Sequence, residues 1–135
     1  MGIKHTSHAR YELWYHFAFG TKYRKRIFQD ERIRQEVGLL FREIASHYDM
    51  EVGQIEVLSD HVHLLLSVPP RIAPSQAISI LKSVSTKALF KRYKWLKNHY
   101  WGGEVWIAGY FVRSVGSGLT REAIEKYIKE QSDER

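Results

Sequence analysis

The run Ser59-Asp60-His61-Val62-His63-Leu64-Leu65-Leu66-Ser67-Val68 constrains the fold more than any other stretch. Read as a helix, it would set His61 and His63 well apart around the axis. Read as a strand, whose side chains alternate in direction, it puts His61, His63 and Leu65 on one face. Val62, Leu64 and Leu66 then point the other way, into a core. Two imidazoles side by side on a rigid strand are half of a metal site. A His-x-His pair also occurs on plain solvated strand faces, and two ligands alone do not hold an ion, so a third donor must come from elsewhere in the chain.

The remaining sequence must therefore supply a core, a partner and a donor. With 135 residues, 44% of them hydrophobic and 13% aromatic, the chain is long enough for one folded domain with its own core. The absence of cysteine excludes disulfides, zinc ribbons and thiol catalysis. Residues 1–10 lack the apolar centre of a signal peptide, and no run approaches membrane-spanning length, so a cytoplasmic protein is expected. The net charge of +6 calls for an anionic partner, for which nucleic acid is the commonest choice in a basic, aromatic-rich domain.

Residues 1–8 read as a flexible tail. Residues 11–19 read as a first strand, with Leu13, Tyr15, Phe17 and Phe19 on one face and Trp14, His16 and Ala18 on the other. Gly20 ends it, and Lys22, Tyr23, Arg24, Lys25 and Arg26 follow as a basic loop with one ring, suited to gripping phosphates while the ring stacks on a base. A solvated basic turn would look the same. Asp30 can cap a helix to about residue 48, whose apolar stripe is Ile33, Val37, Leu40, Phe41, Ile44, Ala45 and Tyr48. Residues 50–58 read as a second strand, joined tightly to the His61 strand as an antiparallel hairpin.

Pro69-Pro70 stops that strand and Pro74 opens a second helix to about residue 94. Ile78, Leu81, Ser85, Ala88 and Leu89 face inward, while Lys82, Lys87, Lys91, Arg92 and Lys94 lie mostly outside as DNA-contacting cations. Tyr93, Trp95, Tyr100 and Trp101 alternate with Lys94, Lys97 and His99, a pattern that suits single-stranded nucleic acid and equally suits rings packed on a core. Residues 105–115 read as a fourth strand with a bulge at Gly109. Gly116-Ser117-Gly118 reads as a flexible joint, and residues 119–131 as a last helix capped by Thr120. Strand, helix, strand, strand, helix, strand is the split βαβ order of a ferredoxin-like α+β sandwich. It predicts a four-stranded antiparallel sheet with its first and third strands central, two helices on one face, and the extra C-terminal helix beyond. His61 and His63 then occupy the helix-free face.

On the last helix Tyr127 and Gln131 are four apart and share a face. Alone, Tyr127 would be an ordinary packing residue. With the histidine pair, the Gln131 amide oxygen can be the missing donor, leaving positions for phosphate oxygens, and such a set suits Mg2+ or Mn2+. The series formed by His61-Val62-His63, Tyr23-Arg24 after the His16 strand, residues 109–116, and Tyr127 with Gln131 resembles HUH nucleases. Specifically it resembles the TnpA-type single-tyrosine transposases of the smallest bacterial and archaeal insertion sequences, from about Tyr11 to Gln131. The resemblance implies that Tyr127 attacks a phosphodiester in single-stranded DNA and becomes joined to the 5′ phosphate, and that a 3′ hydroxyl later reseals the strand. It implies catalytic roles for Tyr127, His61 and His63, a divalent ion on His61, His63 and Gln131, and a homodimer that binds hairpins at transposon ends with sites completed in trans. Gly116 and Gly118 would form the hinge of the tyrosine helix. Two other functions remain open on sequence: a related HUH nickase or replication initiator, and a non-catalytic nucleic-acid-binding module on the same sandwich.

Overall fold

The computed structural model describes residues 2–115, 125–126 and 128–130. In chain order the elements are β1 (Lys4–His5), β2 (Arg10–Tyr11), β3 (Trp14–Gly20), α1 (Glu31–His47), β4 (Glu51–Val57), β5 (His61–Ser67), α2 (Pro74–Arg92) and β6 (Phe111–Ser114). The main sheet is antiparallel with order β4-β5-β3-β6. The strands expected first and third are indeed the central pair, and the ferredoxin-like α+β arrangement follows.

Local chemistry starts both helices. The Asp30 carboxylate accepts the Arg32 N–H at 2.8 Å, satisfying a donor that the first turn of α1 leaves free. Before α2, the Gln76 side-chain oxygen accepts the Ala73 N–H at 3.0 Å, and Pro74 occupies a first-turn position that needs no N–H. The apolar stripe of α1 buries Val37, Leu40, Phe41, Ile44 and Ala45. That of α2 buries Ile78, Leu81 and Leu89. Both stripes pack on Phe17, Val62, Leu64 and Leu66, each worth about 1.5–3 kcal/mol when fully removed from water. The other sheet face has its own smaller cluster, Trp14, Leu65 and Ile128, with Val115 packed against it.

Four expectations need correction. Residues 1–8 are not simply a tail, because Lys4 and His5 pair with Tyr11 and Arg10 in a short ribbon. The first strand consequently begins at Trp14, not at residue 11. The α2 helix ends at Arg92, and Lys94–Asn98 continues as a 3-10 turn. The fourth strand is much shorter than residues 105–115. Only Phe111–Ser114 joins β3 as a strand, and Trp106 contributes one isolated bridge to Thr21. Between them the Lys82 ammonium lies 2.7, 3.4 and 2.8 Å from the carbonyl oxygens of Ile107, Ala108 and Gly109. Carbonyls that accept from a lysine are held off a sheet ladder. Among the described residues no helix is long and apolar enough to cross a membrane.

Gly53 interrupts the β4–β5 register between Val52 and Gln54. A Cβ there would meet the Trp14 ring at 2.8 Å and Leu65 at 3.3 Å, so the indole packs directly over the glycine. Gly53→Ala is expected to destabilise the fold by about 1–3 kcal/mol through overpacking. Urea denaturation reads this directly, and an unchanged midpoint would show that the indole can move aside.

Candidate functional site

The helix-free face of the sheet carries a group of histidines. His61 and His63 sit on β5 with ring centres 5.1 Å apart and planes at 79°, a separation at which two ring nitrogens can share one ion. His16 comes from β3, where Ala18 is the register partner of His63 and Leu65 that of His16. The small Ala18 side chain leaves the His16 ring free to lean diagonally across the ladder. Its Nε2 is 3.2 Å from His63 Nδ1, and the rings stack at 5.5 Å and 24°. His61 has a different partner. Its Nδ1–H donates to the Asp60 carboxylate at 2.7 Å. The other Asp60 oxygen is 3.4 Å from Arg24 Nε and 3.4 Å from Arg24 Nη2. Thr21 ties the basic loop to the same turn, donating its N–H to the Asp60 carbonyl at 2.9 Å.

Burial controls the charge of these rings. His16 and His63 are only 2% and 8% exposed. Burial, then the neighbouring His61 and His16, push His63 down to about 4. Burial, then the Arg113 guanidinium, also lower His16. His63 is therefore uncharged at neutral pH, the form in which imidazole binds a metal. In both β5 rings Nδ1 is already engaged, by Asp60 in His61 and by His16 in His63, so Nε2 is the nitrogen each ring has to turn toward a ligand. Two such imidazoles fit half of a divalent-ion site. Among the described residues no group of three His, Asp or Glu completes one. The expected third donor, Gln131, lies outside the described residues, as do Tyr127 and the Gly116 and Gly118 joint. Of the last helix, Ile128 is fully buried against Trp14 and Leu65, on the histidine-bearing face.

The expected cations divide into two groups. Lys82 is half-buried and occupied by the three carbonyls above, so its role is to pin residues 107–109. Lys87, Lys91, Arg92, Lys94 and Arg26 are exposed. In the loop, Lys22 pairs with Glu104 at 3.9 Å, and Lys25 donates to the His99 carbonyl at 2.9 Å. The ammonium groups of Lys22 and Lys25 lie 5.7 and 6.0 Å from the Tyr23 ring centre, and that ring is 72% exposed. Tyr23 and Arg24 both have left-handed backbone, φ 63° and 52°. Non-glycine residues rarely adopt it, and it costs of order 1 kcal/mol each. This strained turn projects Tyr23 outward and returns Arg24 to Asp60. Of the later rings, Tyr100 packs into the core while Trp101 is 95% exposed.

Sequence reasoning placed His61 and His63 on one face correctly but gave no role to His16, Asp60 or Glu56. His16 shares strand parity with Trp14, which was legible. Its contact with His63 depends on the β3–β5 register, which was not. Glu56 is the β4 register partner of His63 and so emerges on the same face.

Comparison with known proteins gives this small antiparallel sandwich and its imidazole pair a family. Residues 9–131 match the family model described as Transposase IS200 like, and the chain belongs to that family. It is 34% identical over 131 residues to the transposase for insertion sequence element IS200 of Salmonella typhimurium, covering 97% of this chain and 84% of that protein. It is 37% identical over 123 residues to the ISDra2 transposase TnpA of Deinococcus radiodurans, covering 91% and 86%. A Deinococcus radiodurans crystal structure assigned as a transposase superposes with TM-score 0.74 at 33% identity, over 95% of this chain and 97% of that one. The REP-associated tyrosine transposase bound to a REP hairpin shares the fold, with TM-score 0.57 at 13% identity, over 92% of this chain and 68% of that one.

His63 links the site to stability. Its folded value lies below the unfolded one of 6.5, so between about 6.5 and 4 the unfolded chain binds more protons. Acidification through that window should therefore destabilise the fold, by on the order of 3 kcal/mol in full. Urea midpoints measured from pH 7 to 4 should fall in the wild type and fall less in His63→Gln. Parallel curves would mean that His63 titrates normally.

Proposed function

We propose that this transposase cleaves and rejoins single-stranded DNA at insertion-sequence ends through Tyr127. The observation that carries this reading is the burial of Ile128, the sequence neighbour of Tyr127, on the sheet face that bears His61 and His63. The Tyr127 phenol oxygen gives up its proton and attacks the scissile phosphorus, the P–O3′ bond breaks, and the 3′ oxygen takes up a proton and leaves as a hydroxyl. The product is a 5′-phosphotyrosine. A 3′ hydroxyl then attacks that phosphorus and releases the phenol. Each step exchanges one phosphate ester for another, so no nucleotide hydrolysis is needed. His61, His63 and Gln131 would hold Mg2+ or Mn2+, which when bound neutralises charge developing on the phosphate oxygens. The imidazoles supply lone pairs to the ion, His63 as an uncharged ring, and Asp60 holds His61 in place.

The DNA partner in this reading is a hairpin with unpaired flanks. The exposed Tyr23 ring between two ammonium groups suits stacking on an unpaired base, with Arg26, Lys87, Lys91, Arg92 and Lys94 available to phosphates. A second copy is part of the proposal. The β6 strand ends the sheet, and Phe111 and Val112 on it are 46% and 37% exposed. A sheet edge with apolar side chains favours pairing with another strand. The non-catalytic binding module explains the basic loop but leaves the paired imidazoles without a use.

A hairpin oligonucleotide from the element's own end, incubated with protein and Mn2+, should give a covalent adduct on a denaturing gel. Tyr127→Phe should give none while still binding the hairpin, and Tyr23→Ala should weaken hairpin binding by about tenfold. Binding without any adduct from the wild type would favour the binding module. In sedimentation equilibrium the wild type should be a dimer, and Val112→Lys should shift it toward monomer. A monomeric wild type would remove the second copy from the proposal.

A further inference from the structure

We infer that His16 is a positioning residue that fixes the tautomer of His63, accepting its Nδ1–H so that His63 Nε2 keeps a free lone pair. The purpose of this device rests on the metal-binding reading above, although its test does not.

One proton must lie in the 3.2 Å contact between His16 Nε2 and His63 Nδ1 if it is a hydrogen bond. If His16 donates, His63 keeps its own proton on Nε2 and offers no lone pair to a ligand. If His63 donates, Nε2 is bare. The second arrangement matches His61, whose Nδ1–H likewise donates, to Asp60. The tautomer of an imidazole follows from the partner of its other nitrogen.

The two rings differ in burial, and their partners differ accordingly. His61 is half-buried, and the Asp60 carboxylate of the hairpin turn, itself only 9% exposed, orients it. His63 is 8% exposed and its partner His16 is 2% exposed. A carboxylate at the 2%-exposed His16 position would be costly to desolvate. A neutral imidazole accepts the same hydrogen bond without that charge. The His16 ring is also held in place. It lies in the middle of β3 with Arg113 as its β6 register partner, and the Phe111 ring meets it edge-on at 5.8 Å.

The test uses the full chain labelled with 15N in its histidine rings, free of metal, at neutral pH. Long-range 15N–1H spectra should show the wild-type His63 protonated on Nδ1 and bare on Nε2. His16→Phe retains a buried ring but removes the acceptor, and should return His63 to the Nε2–H form. His16→Gln offers a side-chain oxygen as acceptor and should retain the wild-type form. A Mn2+ titration followed by electron paramagnetic resonance should show binding weakened about 10- to 100-fold in His16→Phe and largely restored in His16→Gln. A wild-type His63 protonated on Nε2 overturns the inference, as does His16→Phe with unchanged tautomer and unchanged Mn2+ affinity. If His16→Phe fails to fold, the wild-type spectrum and the His16→Gln variant still decide it. Failure of the transposase reading shows elsewhere, as a wild type that forms no DNA adduct, and leaves the ring-nitrogen spectra unchanged.

Discussion

The antiparallel ladder between β3 and β5 is the interaction on which the rest of the molecule depends. Phe17 and Phe19 on one strand and Val62, Leu64 and Leu66 on the other must face α1 and α2 together. A slip of one residue would turn a strand's apolar set to the opposite face, so the core fixes the register strongly. The same register carries His16, His61 and His63 to the open face and brings His16 diagonally against His63. Core packing on one side thus orients the polar groups on the other.

The open face is polar in composition but dry at its centre. His16 and His63 are buried beside the Trp14, Leu65 and Ile128 cluster, and burial keeps His63 uncharged well below neutral pH. At the rim, Asp60 connects this dry centre to the basic loop, holding His61 through one oxygen and meeting Arg24 through the other. The left-handed backbone at Tyr23 and Arg24 lets one short turn serve two directions, a ring toward solvent and a guanidinium toward the carboxylate. Membership of the IS200-like transposase family gives this architecture a context in DNA transposition. The basic loop and the imidazole pair adjoin because the hairpin turn that ends one is the anchor of the other.

Sequence alone determined the local grammar of this protein. Alternation placed His61 and His63 together and Val62, Leu64 and Leu66 opposite, the Asp30 cap and the apolar stripe defined α1, and the order of elements gave the sandwich. These features are legible because period and capping depend on residues close in sequence. Tertiary structure alone decided that Lys82 would meet the carbonyls of residues 107–109, that residues 108–110 would stay out of the strand ladder, that Lys4–His5 would pair with Arg10–Tyr11, and that His16 would meet His63. Each of these is a contact between groups whose approach is set by register and packing across the fold, and such distances have no signature in local spacing.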